Sequence, residues 1–222
     1  KIYTAVSTNG LVINEKNIDT IFDSAPDKII FSIDGMDQDT YVKYRVGGSF
    51  EKAMNALKLV LKKKEESGNK KPFVEFQFIV MKQNEHQIDE VLKLRKLKGL
   101  NRVALKSMQI SDIENAKEYL PSLKKYSRYL IKDGKPVIKN KLKNSCFYLW
   151  RTIALTWDGY SVPCCFDKDA KIKFGNLKSQ ELLEIWKGRK YYNFRKAILK
   201  GRSKIDMCRN CTEGLNLNLS DI

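Results

Sequence analysis

Four cysteines near the C-terminal end constrain this 222-residue chain more than any other feature. All five of its cysteines lie beyond residue 145, and Cys146, Cys164, Cys208 and Cys211 stand at ligand-like spacings. Cys208 and Cys211 form a C-x-x-C pair, which puts two thiolates on one tight turn where both can reach a single metal centre. Between Cys146 and Cys164 lie the apolar run Thr152–Trp157, the turn signal Asp158-Gly159 and a returning run from Tyr160 to Cys164. A β-hairpin therefore delivers these two cysteines from its flanks. Four thiolates suit tetrahedral zinc or a cubane iron–sulfur cluster, and spacing alone admits both. A redox pair needs no upstream partners, and Cys208 follows a helix in a loop instead of opening a βαβ unit. The odd cysteine count and the lack of an export signal argue against a disulfide framework and for a reducing compartment. Cys165, the fifth cysteine, is expected to be a small buried residue pointing away from the Cys164 side of a strand.

The segment around these cysteines has little apolar core for its many loops, with short helices expected only at Gln180–Gly188 and Tyr191–Lys200. A metal would supply the missing stabilisation. Upstream the pattern changes. Apolar strand-like runs at Ile2–Ser7, Lys28–Asp34, Phe73–Met81 and Arg102–Ile110 alternate with helical periodicity at Asn14–Ser24, Phe50–Glu66 and Ile88–Leu97. That alternation implies an α/β fold with parallel strands and right-handed crossovers, closed as a barrel or left open. In both forms functional groups gather at the C-terminal strand ends. Those ends are polar here: Thr8-Asn9-Gly10, Ser32 with Asp34, Lys82-Gln83-Asn84 and Lys106-Ser107. Strand ends are commonly wet, so polarity alone does not establish a site. Residues 111–131 are expected to be helical with a break near Pro121. The Lys- and Asn-rich stretch 132–145 reads as a linker between a core over 1–131 and a metal-binding domain over 146–222.

The formal charge of +16 raises the question of nucleic-acid binding. Lysine greatly exceeds arginine and recurs on nearly every expected helix, so the charge is spread instead of forming a phosphate-reading patch, and nucleic acid is disfavoured. No apolar run approaches the roughly 18–20 residues of a membrane helix. His86, the single histidine, reads as solvated. Gly47-Gly48 reads as a turn, Lys62-Lys63-Lys64 as a solvated helix end, and Trp150, Trp157 and Trp186 as core around the metal site.

The stretch from Cys146 to Trp150, then Thr156–Asp167, Gly175-Asn176-Leu177, Glu184-Ile185-Trp186, Phe194-Arg195 and Ile205–Thr212 resembles the SPASM domain of radical S-adenosylmethionine (SAM) proteins. That domain opens with a cysteine, nine to fifteen residues, a glycine, four residues and a second cysteine, a spacing that Cys146, Gly159 and Cys164 satisfy. Upstream, Ser7–Gly10, Phe31–Gly35, Tyr44-Arg45, Gly47–Phe50 and Phe78–Asn84 resemble radical SAM core segments in the right order. The resemblance implies a partial (β/α) radical SAM barrel followed by a small loop-rich metal-binding SPASM domain. It implies one auxiliary [4Fe-4S] cluster on Cys146, Cys164, Cys208 and Cys211, with Cys165 excluded. It also implies a cytoplasmic oxidoreductase or maturase that uses a 5′-deoxyadenosyl radical on a peptide or other substrate, with a flavodoxin or ferredoxin as electron donor. Ser32 and Asp34 occupy positions where the family contacts S-adenosylmethionine. Arg45 is a candidate partner for its methionyl carboxylate, and Gln77 a candidate lumenal residue. The core's own C-x3-C-x2-C motif, which would hold a second [4Fe-4S] cluster, is absent and is expected to precede Lys1. Two alternatives stand beside the enzyme: a zinc-stabilised basic binding module, and a scaffold that has lost catalysis.

Overall fold

The computed structural model describes residues 2–110, 116–139 and 142–211. Its strands β1 (Ala5–Thr8), β2 (Lys28–Ser32), β3 (Phe73–Val80) and β4 (Arg102–Ser107) pair in that order, each parallel to the next. Parallel neighbours cannot be joined by a tight turn, so helices make the crossovers. These are α1 (Ile18–Asp23), α2 (Gln38–Val42) with α3 (Phe50–Glu66), and α4 (Ile88–Lys93). The expected parallel α/β core is present.

Residues two apart on a strand share a face. Ile29, Phe31, Val74, Phe76, Phe78, Val103 and Leu105 are all nearly or fully buried, and they join Ala53, Leu57, Val60 and Leu61 of α3 in one core. Each such side chain contributes about 1.5–3 kcal/mol on burial. A one-residue register slip would move the whole set to the other face, so this face fixes the strand pairing. The opposite face carries Ser32 and Gln77, aligned in register and only partly buried.

Several expectations need correction. Residues 111–115 of the expected helix lie outside the described residues. The remainder forms single 3₁₀ turns at Ala116–Glu118 and Lys124–Tyr126, then strand β5 (Tyr129–Lys132). It pairs with β6 (Lys135–Ile138) inside the expected linker. Pro121 cannot donate within a helix. Asp133 and Gly134 both take positive φ, 47° and 74°, the geometry of a two-residue hairpin turn. Helix α2 is an addition to the expected elements: Asp37 caps it, accepting the Thr40 N–H at 2.8 Å. Lys64 is buried, not solvated, and donates to the Gly99 carbonyl at 3.0 Å and Asn101 Oδ1 at 2.6 Å. Trp157 is almost fully exposed and Trp150 substantially so. Of the three tryptophans, Trp186 packs against a core.

The described residues fall into two compact units, one built from residues up to 108 and 116–136, the other from 137–211 with Gln109 and Ile110. The second unit contains a three-stranded antiparallel sheet of β7 (Ala154–Leu155), β8 (Tyr160–Val162) and β9 (Gly175–Asn176). Its helices are α5 (Tyr148–Arg151), α6 (Leu182–Lys187), α7 (Arg189–Gly201) and α8 (Asp206–Arg209). Its core is small: Leu149, Phe174, Ile185, Tyr191, Ile198 and Cys208. Among the described residues no helix is long and apolar enough to cross a membrane.

Candidate metal centre

The β7–β8 hairpin turns at Gly159, whose φ of 91° a side chain would strain. Thr156 holds the turn, its carbonyl accepting the Gly159 N–H at 3.0 Å and its hydroxyl the Tyr160 N–H at 3.0 Å. Past Val162 the chain leaves the sheet through Pro163, and Cys164 enters a turn in which its carbonyl accepts the Asp167 N–H at 3.1 Å. Cys146 lies just before α5 and Cys208 within α8. Cys211 donates its N–H to the Cys208 carbonyl at 3.1 Å, closing the tight turn that the pair requires.

All four thiols line one cavity of about 220 Å³, walled by apolar side chains including Leu149, Pro163, Phe194 and Met207. Among the described residues, no three His, Cys, Asp or Glu side chains converge as ligands of one ion would. The thiols stand around a space instead, and an all-cysteine donor set around an apolar cavity fits an iron–sulfur cluster. Cys165 departs from expectation. Strand alternation does not reach it, because β8 ends at Val162; it is exposed and lines the same cavity.

Burial pushes the Cys164 thiol from 9.0 up to about 11, and the Cys208 thiol up to about 12. The neighbouring thiols push both further by mutual repulsion, while the Phe166 N–H opposes the shift at Cys164 and Arg202 opposes it at Cys208. Without a metal these thiols therefore stay protonated in the fold. Their native pKa values exceed their unfolded ones, so the native state holds more protons above pH 9 and stability falls as pH rises through about 9 to 12. Urea midpoints of metal-free protein across that range are expected to show this loss, and Cys208→Ala to reduce it. Equal alkaline losses in both proteins would refute the assignment.

At the strand ends of the first unit, the segments around Asp34 and Asn84 are tied together. The Asp34 carboxylate, 1% exposed, accepts from Arg45 Nε at 2.8 Å, Arg45 Nη2 at 2.5 Å and the Ile79 N–H at 2.6 Å. Burial raises the Asp34 pKa, and the Arg45 charge pulls against that rise. Asn84, fully buried, donates to the Asp34 and Ile79 carbonyls and accepts the Met81 N–H at 2.7 Å. Gln87 accepts the Met36 N–H at 2.9 Å and donates to Asp37. Gly35 is needed because a Cβ there would stand 2.5 Å from the Tyr41 backbone nitrogen. Of the four candidate cofactor residues, Asp34 and Arg45 are thus engaged with each other. Ser32, whose hydroxyl lies 3.3 Å from that of Ser7, and Gln77 sit side by side on the partly open face. The roles of Asn84 and Gln87 were not anticipated from sequence, where they read only as polar residues beyond the end of β3.

Comparison with known proteins agrees with this geometry. Residues 146–212 match the SPASM family, an iron–sulfur cluster-binding domain. A tungsten-containing aldehyde ferredoxin oxidoreductase cofactor-modifying protein of Pyrococcus furiosus is 24% identical across 86% of this chain, which spans 60% of that protein. An S-adenosyl-L-methionine-dependent 2-deoxy-scyllo-inosamine dehydrogenase of Niallia circulans is 34% identical over 73 residues, 32% of this chain and 29% of that protein. The solved structure of native anSMEcpe with bound AdoMet shares the fold, with a TM-score of 0.64 at 17% identity over 99% of this chain and 69% of that one. The chain thus carries a SPASM iron–sulfur cluster-binding domain over residues 146–212, together with a parallel α/β core, and it shares its fold with a solved AdoMet-bound structure.

Proposed function

We propose that this chain is the portion of a radical SAM enzyme that carries one auxiliary [4Fe-4S] cluster on Cys146, Cys164, Cys208 and Cys211. The observation that supports it is the placement of these four thiols around one apolar cavity. With every ligand position of such a cluster filled by cysteine, direct substrate coordination is disfavoured, and the cluster serves electron transfer or the integrity of the domain.

S-adenosylmethionine would bind across the C-terminal strand ends, with Ser32 and Gln77 offering polar groups from the open face. The part of the Arg45 guanidinium not engaged by Asp34 would meet the methionyl carboxylate. A second [4Fe-4S] cluster supplies, when bound, the electron that cleaves S-adenosylmethionine. Its ligands are not among these residues, since every cysteine of the sequence lies at 146 or beyond. The reaction class is an oxidoreductase or maturase acting in the cytoplasm on a peptide or other substrate, with a flavodoxin- or ferredoxin-type donor. A cofactor-modifying protein and a dehydrogenase among the relatives support this class without fixing the substrate.

Anaerobic reconstitution tests the reading. About four irons and four sulfides per chain, with broad absorption in the blue, are expected. Stoichiometric zinc without iron after the same treatment would replace the proposal with a zinc-stabilised domain.

A further inference from the structure

Arg202 is the one charged side chain among the described residues lining the thiol cavity. It opens the 3₁₀ turn Arg202–Lys204 directly after α7, and it is only 5% exposed. Its backbone N–H donates to Asn144 Oδ1 at 3.0 Å, and its Nη1 donates to the Ser145 carbonyl at 2.8 Å. Both bonds pin the segment that leads into Cys146. They leave the guanidinium incompletely used: Nε is buried with no hydrogen-bond partner. None of the ion pairs among the described residues supplies a carboxylate to Arg202.

A buried guanidinium without a counter-charge is costly, and a buried N–H donor without an acceptor adds to that cost. Carbonyl oxygens offset only part of it. The negative charge that would complete the arrangement has to come from the cavity that Arg202 faces. Four thiolates on a [4Fe-4S] core carry net negative charge in both oxidation states, more in the reduced one, and their sulfur atoms accept N–H bonds. We infer that Arg202 is the electrostatic partner of the auxiliary cluster, donating through Nε toward its sulfur atoms and holding its reduction potential up. The sign follows from Coulomb's law: a fixed cation in an apolar wall favours the more negative, reduced state. Arg202 is a positioning and tuning residue in this role. It anchors the Cys146 segment with one nitrogen and turns another toward the cluster.

The inference rests on a cluster occupying the cavity, so iron content of the unsubstituted protein is measured first. Zinc there would defeat the proposed function. The role of Arg202 is then read from the cluster's potential, by spectroelectrochemical titration of the reconstituted full chain. Arg202→Gln removes the charge and is expected to shift the potential to more negative values. Arg202→Lys keeps the charge and is expected to stay close to the unsubstituted protein. Asn144→Ala loosens the same loop without touching the guanidinium and is expected to leave the potential unchanged. Should Arg202→Gln hold no iron, retention of iron by Arg202→Lys at the unsubstituted potential carries the same conclusion. An Arg202→Gln protein with full iron and an unshifted potential would overturn the inference. Equal shifts in Arg202→Gln and Asn144→Ala would do so too, as would a lysine variant that shifts as far as glutamine or holds no iron.

Discussion

Replacing Cys164 or Cys208 with alanine is expected to empty the metal centre, taking iron from about four per chain to near zero and lowering the stability of the 137–211 unit. The size of the effect follows from how little else holds that unit. Its sheet is made of strands of two and three residues, and its core contains six buried apolar residues, one of them the proposed ligand Cys208. A small domain with so limited a core draws its folding free energy largely from metal binding, which in structural zinc domains reaches about 10–16 kcal/mol. Loss of one thiolate removes a ligand bond and leaves an incomplete donor set around an apolar cavity. Cys165→Ala is expected to behave differently. Cys165 is exposed, and the family spacing selects Cys164. Iron and sulfide content, with thermal melts followed by circular dichroism, separates the cases. Full iron in Cys164→Ala would mean that Cys165 serves as the ligand instead.

The parallel core was legible because its signals are local and periodic. Helix α3 lies where apolar residues at three-and-four spacing place it, and β3 follows the alternation that separates Gln77 from Val74, Phe76 and Phe78. The convergence of the thiols was legible for a related reason: the C-x-x-C turn and the Asp158-Gly159 hairpin are short-range features that bring the cysteines to one cavity. Expectation failed where an outcome depended on distant partners. Lys64 reads as one of three solvated lysines until Gly99 and Asn101 are brought beside it. The β5–β6 ribbon was hidden by lysine-rich composition, although Asp133-Gly134 is itself a hairpin signal. The free-standing reading of Asp34 and Arg45 missed their mutual engagement for the same reason: it needs the turn after α2 to present Arg45 and β3 to present Ile79, the latter 45 residues away in sequence.

That engagement carries the second large effect. Asp34→Ala is expected to destabilise the first unit by about 2–4 kcal/mol, the range between losing a satisfied buried hydrogen bond and breaking a buried ion pair. Arg45 is partly solvated, with 28% of its side chain exposed, so its share is reduced by water. The Ile79 N–H has no such relief once its acceptor is gone. Asp34→Asn keeps an oxygen for Ile79 and removes a charge that burial disfavours, so it is expected to cost less than alanine. Arg45→Met reverses the problem by leaving the buried carboxylate without its cation. The folded pKa of Asp34, already raised by burial, then rises further. A native state that holds its proton more tightly than the unfolded chain loses stability as pH climbs through that raised value. Urea midpoints of Arg45→Met are therefore expected to fall from acid toward neutral pH more steeply than those of the unsubstituted protein. Ser32 and Gln77 take their positions from β2 and β3, whose ends the Asp34 carboxylate links through the Ile79 N–H, so losing it is also expected to weaken whatever the open face binds. An Asp34→Ala protein that unfolds at the unsubstituted midpoint would show that the Asn84 bonds alone hold the two strand ends together.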